Sequence, residues 1–285
     1  MAVVHLDMPH CTSYLPTRLL QIFVAKIFER LVRKATLASA ESFSSLPAIS
    51  LGILYNRQRK GPIMTSREGQ KGYRGLGMEG PIATWYARIT ATDLDDYRRC
   101  ARLVAGQVAA NGHILELAPG PGYLAIELAK MGSYQVVGLD ISRSFVKIAG
   151  EKAEQAGVSV TFRQGDAADM PFTSDLFDFV VCRAAFKNFA EPVKALNEIY
   201  RVLKPAGKAL IIDLRKDYEE REIADHVRDK GPVNALIMKA VFKYFLKRRA
   251  YTKEAIESMI AQSKFARCDI RLNSIGFELW LRKGA

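Results

Sequence analysis

The chain has 285 residues, of which 49% are hydrophobic and 25% charged, a balance that can bury a core and excludes a disordered or fibrous polypeptide. Its formal net charge of +12 is concentrated at the ends, with +5 over 1–63, +1 over 64–214 and +6 over 215–285, so the middle is not built to grip a nucleic-acid backbone. Four dispersed cysteines, without CxxC spacing, exclude a disulfide framework and a structural zinc site and point to a reducing compartment.

Residues 1–63 read as an extension that need not belong to the fold. Leu19, Leu20, Phe23, Val24, Ile27, Leu31 and Val32 recur at helical spacing among Arg18, Lys26, Arg30, Arg33 and Lys34, which describes a basic amphipathic helix. Three functions compete with that plain reading: a transit peptide that would place the chain in mitochondria, a peripheral contact with an anionic membrane surface, and a helix packed on the domain. Charges interrupt every long apolar run, so no transmembrane helix is expected.

Residues 64–91 form an entrance segment, and from about 92 strands and helices alternate. Thr92 or Asp93 can cap a helix running to about Ala110, stopped by Asn111-Gly112. Strands are expected at His113–Ala118, Gln135–Leu139, Val158–Phe162, Phe177–Cys182 and Ala209–Leu214. Helices fall between them at about 122–131, 142–157 and 192–203. This alternation predicts an α/β domain over 92–285 with a Rossmann-like, mostly parallel sheet covered by helices on both faces. A helical, basic insertion at about 218–249 follows, with Leu236, Val241, Phe242 and Phe245 set among lysines as a lid or a packed helix. A helix at Lys253–Gln262 and a hairpin of Cys268–Leu272 and Gly276–Leu281 close the chain, placing one antiparallel strand at the end of a seven-stranded sheet.

The sharpest local signal is Glu116-Leu-Ala-Pro-Gly-Pro-Gly-Tyr-Leu-Ala125, where a strand gives way to a helix. Gly120-Pro-Gly122-Tyr-Leu-Ala125 satisfies the G-x-G-x-x-G/A pattern of dinucleotide binders, yet Pro119 and Pro121 have no N–H to offer a pyrophosphate. Glu116 brings negative charge to the same crevice, which suits a ligand carrying an ammonium group. S-adenosylmethionine carries an ammonium and a sulfonium and no phosphate.

Glu116-Leu-Ala-Pro-Gly-Pro-Gly-Tyr123, Val137-Gly-Leu-Asp140-Ile-Ser, Gln164-Gly-Asp166-Ala167, Phe177-Asp-Phe-Val-Val-Cys-Arg183 and Val202-Leu-Lys-Pro-Ala-Gly-Lys-Ala-Leu-Ile-Ile212 resemble, in order, the successive motifs of class I S-adenosylmethionine-dependent methyltransferases. Phe186-Lys-Asn-Phe189, followed by Ala195-Leu-Asn-Glu-Ile-Tyr-Arg-Val-Leu-Lys-Pro205, resembles the ubiquinone/menaquinone-biosynthesis C-methyltransferase branch, which usually has Arg where Lys187 stands.

The resemblance implies a cofactor site. Glu116 would hold the methionine ammonium through water, while Ala118, Gly120 and Gly122 let the loop lie against the cofactor, with Tyr123 also at the cofactor. Asp140 and Ile141 would meet the ribose, Asp166 and the Ala167 backbone the adenine, and Cys182 and Arg183 the methionyl portion through the backbone. Asp140 can also be read as a helix cap and Asp166 as a turn residue.

No metal is expected, and no catalytic residue is assigned. Tyr86, Lys187 and His226 are candidates for substrate contact or proton handling. The expected activity is methyl transfer to carbon or oxygen of a small, partly apolar acceptor by a cytoplasmic enzyme. An RNA methyltransferase using the basic ends, a nucleotide-dependent oxidoreductase and a cofactor-binding protein without turnover are the rivals.

Overall fold

The computed structural model describes residues 72–74, 77–91, 94–226 and 247–284. The extension 1–63, the cap at Thr92 or Asp93, and most of the inserted stretch, including Leu236, Val241, Phe242 and Phe245, lie outside the described residues.

The elements in chain order are α1 (Pro81–Thr90), α2 (Leu94–Ala105), β1 (His113–Leu117), α3 (Tyr123–Lys130), β2 (Gln135–Asp140), α4 (Arg143–Gln155), β3 (Thr161–Gln164), β4 (Phe177–Arg183), α5 (Pro192–Val202), β5 (Leu203–Leu214), α6 (Glu220–His226), α7 (Lys253–Ala261), β6 (Cys268–Leu272) and β7 (Gly276–Arg282). A single turn of 3-10 helix, Phe186–Asn188, follows β4. The sheet order is β3-β2-β1-β4-β5-β7-β6. The first five of these positions pair in parallel, and β7 runs antiparallel to both β5 and β6. The expected antiparallel strand is therefore present, but it lies one place inside the edge, with β6 beyond it.

Alternation along the strands divides the core into two layers. Ile114, Phe179, Val181, Leu210 and Ile212 face a cluster completed by Cys100 and Val104 of α2 and Leu124 and Leu128 of α3. Leu115, Leu117, Val180, Cys182 and Ile211 face the other side, against Leu196 and Ile199 of α5 and Ile256 and Ile260 of α7. Central strands covered twice must be apolar on both sides, which is why β1, β4 and β5 read as continuous hydrophobic runs rather than alternating ones.

Three expected boundaries shift, and the first is the end of α2, at Ala105 instead of about Ala110. β5 begins at Leu203 instead of Ala209: the register with β4 slips between Phe177 and Phe179, and Lys204-Pro-Ala-Gly207 is carried inside the strand as an irregularity rather than as a preceding turn. β3 starts at Thr161 instead of Val158 because its pairing with β2 opens at Val137 opposite Thr161. The entrance segment contains a helix, α1, started by Pro81 at its first position. α4 packs on β2 and β3 and receives α1.

Candidate active site

The switch in strand order lies between β1, which pairs with β2 on one side, and β4 on the other, so their carboxyl ends open a crevice. A cavity occupies it, lined by Glu116, the loop Ala118–Pro121, Leu139–Ser142, Gly165–Ala167 and Arg183–Ala185. The entrance segment supplies Tyr73, Met78 and Tyr86 to the same cavity, and the 3-10 turn supplies Asn188 and Phe189.

Glu116 points its carboxylate into this crevice from an otherwise apolar strand. Its Oε2 is buried with no hydrogen-bond partner, an unusual arrangement because a buried charged oxygen costs free energy unless something meets it. Burial pushes the carboxyl up to about 8, against the smaller opposing effects of the Ala125 N–H and Arg183. An ammonium at this place would supply both the missing hydrogen bond and the missing counter-charge. A buried acceptor that fits an ammonium, beside a loop built for close approach, is what S-adenosylmethionine requires, and the residues present fit it.

The loop itself cannot cradle a pyrophosphate. The Ala118 N–H is given to the Leu139 carbonyl (2.8 Å), the Gly120 N–H to Asp140 Oδ2 (2.9 Å) and the Gly122 N–H to the Pro119 carbonyl (3.0 Å). Pro119 and Pro121 have none to give, so from 118 to 122 every backbone donor is absent or committed. Gly120 adopts φ 55° with nothing nearer a hypothetical Cβ than Tyr86 Cε1 at 3.9 Å, so its missing side chain leaves the space in front of the loop open.

Asp140 ends β2 with both carboxylate oxygens engaged: Oδ2 by the Gly120 N–H and Oδ1 by the Ser142 N–H, each at 2.9 Å. It is not the cap of α4. Ser142 is, its Oγ accepting from the Phe145 N–H at 3.1 Å. Burial raises the Asp140 carboxyl to about 6, with Glu79 adding to the rise and backbone N–H groups resisting it. Each carboxylate oxygen keeps a second lone pair, so Asp140 can accept a ribose hydroxyl while holding the loop to the turn. Asp166 does close a turn, accepting the Ala168 N–H at 2.9 Å through Oδ1. Its carboxylate also lies against Gly72, where a Cβ would stand 2.1 Å from Oδ2.

The structure brings Glu116, Ala118, Gly120, Asp140, Ile141, Asp166, Ala167 and Arg183 to one cavity, together with Tyr86. Gly122, Tyr123 and Cys182 do not line it. Gly122 is a packing glycine, since a Cβ there would meet Ala149 Cβ and Phe162 Cζ at 2.8 Å. Tyr123 turns away, donating its hydroxyl to the Ala87 carbonyl at 2.8 Å. The Cys182 side chain is wholly buried in the core layer of Leu115, Leu117 and Val180, where burial raises its thiol.

Lys187 is not available for proton handling: its ammonium is buried and paired with Asp213. His226 ends α6, and its side chain lies outside what is described. Among the described residues no cluster of His, Cys, Asp and Glu could hold a metal ion, and no helix is long and apolar enough to cross a membrane.

Residue reading did not single out Tyr73, Glu79 or Asn188. Asn188 Oδ1 is, among the described residues, the second buried side-chain oxygen without a hydrogen-bond partner, and its position inside Phe186-Lys-Asn-Phe189 was the available signal. Tyr73 and Glu79 carry no local signal, because their partners are more than sixty residues away.

Residues 115–211 match the family described as the methyltransferase domain. That stretch is similar to a methyltransferase domain. The chain is 42% identical over 101 residues to a demethylmenaquinone methyltransferase of Thermus thermophilus, covering 35% of this chain and 46% of that one. Over 144 residues it is 34% identical to a demethylmenaquinone methyltransferase of Lactiplantibacillus plantarum, covering 48% and 61%. The chain therefore spans about half the length of the curated relatives it matches. In structure it is similar to a SAM-dependent methyltransferase from Aquifex aeolicus, with TM-score 0.54, 20% identity, and 70% of this chain and 96% of that one covered. These likenesses place the seven-stranded sheet in the Rossmann-like methyltransferase fold.

Proposed function

We propose that this protein transfers a methyl group from S-adenosylmethionine to a small, quinone-type ring acceptor. The observation that carries the cofactor half is Glu116 Oε2, buried and unpartnered beside a loop with no donor left for a phosphate. The acceptor half rests on the relatives that are named for demethylmenaquinone and on the aromatic wall of Tyr73, Tyr86 and Phe189.

When bound, the cofactor supplies an electrophilic methyl group on a sulfonium, so the protein's task is positioning. Glu116 would hold the ammonium, Asp140 the ribose and Asp166 the adenine side, and Tyr73, Tyr86 and Phe189 would offer the aromatic surface for an acceptor ring. Asn188 Oδ1 would accept a hydrogen bond from a hydroxyl of the acceptor ring. Burial raises the Tyr73 phenol, which keeps it protonated and fits it to donate rather than to act as a base. The cytoplasm is the compartment this reading expects, in keeping with four dispersed cysteines that suit no disulfide framework.

Calorimetry with S-adenosylhomocysteine and with NAD tests the cofactor, and tighter binding of NAD would overturn it. A screen of phenolic, quinol and short RNA acceptors, read by product mass, tests the substrate. Methyl transfer to RNA alone, falling steeply with salt, would give the reaction to the basic ends instead.

A further inference from the structure

We propose that Glu79 is a positioning residue for the cofactor site, its carboxylate clamping the entrance segment onto the turn that carries Asp140. The inference rests on the cofactor reading above and concerns a residue that touches neither cofactor nor acceptor.

The clamp is a closed set of hydrogen bonds at the amino end of α4. Glu79 Oε1 accepts the Arg143 N–H at 3.1 Å, and Oε2 accepts the Ser144 N–H at 3.1 Å and the Ser144 hydroxyl at 2.6 Å. Ser144 Oγ accepts the Gly80 N–H at 2.8 Å, and the Ser142 hydroxyl donates to the Met78 carbonyl at 2.7 Å. Ser142 in turn gives its own N–H to Asp140 Oδ1, whose other oxygen holds Gly120. A short path of bonds thus runs from Glu79 through the α4 cap to the carboxylate and the loop that face the cofactor.

The far end of the segment is fastened too. The Ala190 N–H reaches the Gly72 carbonyl at 3.1 Å and the Arg74 N–H reaches the Asn188 carbonyl at 2.7 Å, beside the 3-10 turn. Tyr73 stands at this attachment and Met78 at the α4-side one, and both line the cavity. Residues 72–74 and 78–80 are thus each fastened beside the crevice, and Glu79 is the charged member of the α4-side attachment.

Stability alone does not account for an acid at this place. A carboxylate is welcome at a helix amino end, where free N–H groups and the dipole favour it. Here it also stands close enough to Asp140 to push that carboxyl up, adding to its burial. The N–H groups of Ser142, Gly120 and Ile141 act on Asp140 in the opposite sense, Tyr73 of the same segment and Glu116 of β1 stand near enough to feel its charge, and the Arg143 side chain is turned to Gln164 at 3.0 Å. Glu79 thus has two opposed effects on the site. Its hydrogen bonds hold the turn in shape, and its charge makes Asp140 easier to protonate.

Those effects separate in one experiment. S-adenosylhomocysteine is titrated by calorimetry into the full chain, Glu79→Ala and Glu79→Gln, from pH 5 to 8, with thermal melts of the free proteins. Glu79→Ala should weaken Kd about tenfold or more at pH 8, the effect of losing hydrogen bonds to a charged group. Glu79→Gln, which keeps an acceptor but no charge, should recover part of that affinity and move the acid limb of binding to lower pH. Affinities within about twofold of wild type and an unmoved acid limb would overturn the role. So would a loss of affinity that follows the free-protein melts with the limb unmoved, which would make Glu79 structural only. If Glu79→Ala does not fold, the limb in Glu79→Gln decides. A wild-type chain that takes no S-adenosylhomocysteine would overturn the cofactor reading itself, a result distinct from unchanged variants of a binding protein.

Discussion

Lys187 reaches Asp213 at 2.7 Å, Nζ to Oδ1, with both side chains out of water. The same ammonium donates to the Ala184 carbonyl at 2.7 Å, and Asp213 Oδ2 accepts the Lys187 N–H at 2.8 Å. Ala184 sits at φ 59°, a left-handed conformation that a non-glycine residue holds only when its surroundings impose it. The pair therefore fixes the loop after β4, which carries Ala184 and Asn188 to the cavity wall.

Replacing Lys187 by Met should cost about 3–5 kcal/mol of folding free energy, because Asp213 is left charged and buried without its partner. Urea unfolding measures it. A variant of undiminished stability that has lost only activity would return Lys187 to the list of proton-handling groups.

What residue reading could reach was local. The loop from Glu116 to Gly122 and Asp140 at the end of β2 belong to strands whose apolar runs are visible in the sequence, so their places in the crevice follow from the β-α repeat, whereas Asp166 follows the short polar strand Thr161–Gln164 and was reached through its Gln164-Gly-Asp166-Ala167 motif. The hairpin of β6 and β7 was visible as well, since Asn273 and Ser274 mark its turn and Asn273 Oδ1 accepts the Gly276 N–H at 2.8 Å. Which of its strands would sit beside β5 was not, because edge pairing is decided by partners distant in the chain. Lys187 with Asp213 and Glu79 with Ser144 were hidden for the same reason: separations of 26 and 65 residues have no periodic signature. Tyr123 and Cys182 belong to motifs whose neighbours line the cavity, and the strand and helix periods turn these two into the core.

The free protein should lose stability as pH rises. Glu116 and Asp140 have folded-state carboxyls raised to about 8 and about 6, above their ordinary values, so the folded state binds more protons than the unfolded one. Stability then falls with rising pH from about 4 to about 8, the range between the unfolded and folded values. Bound cofactor supplies an ammonium to Glu116 and should release a proton near neutrality. Melts of the free and S-adenosylhomocysteine-bound protein across that range check both signs, with protection by ligand growing as pH rises. A free-protein melt that rises between pH 6 and 8 would contradict the buried, unpartnered state of Glu116.

Asp140 is both a ligand group and a fastener. Asp140→Ala should weaken cofactor binding by about 1.5–3 kcal/mol, and it should also lower the melt of the free protein, because the Gly120 and Ser142 N–H groups lose their acceptor. Asp140→Asn keeps one acceptor oxygen and should fall between. Calorimetry paired with melts of the free variants separates the two losses. An unchanged cofactor affinity would leave Asp140 a purely structural residue.

The two loop glycines should fail in different ways when replaced by alanine. At Gly122 the new methyl would meet Ala149 Cβ and Phe162 Cζ at 2.8 Å, and the backbone is held at φ 80°. Neither neighbour can yield easily, because Ala149 is fixed in α4 and Phe162 is packed between Gly122 and Gly138, whose own Cβ would meet the same ring at 2.5 Å. Overpacking of about 1–3 kcal/mol adds to the left-handed strain of about 1–2 kcal/mol, so Gly122→Ala should be seen first as a lower melt of the free protein. Gly120 is also left-handed, at φ 55°, so some strain is shared, but a methyl there finds only Tyr86 at 3.9 Å and projects into the cavity. Its cost to the free protein should stop at the strain, while S-adenosylhomocysteine affinity falls more than it does for Gly122→Ala at equal stability. Calorimetry and melts on both variants give the comparison, and a Gly120→Ala protein that binds as tightly as wild type would mean that the cofactor does not lie against this loop.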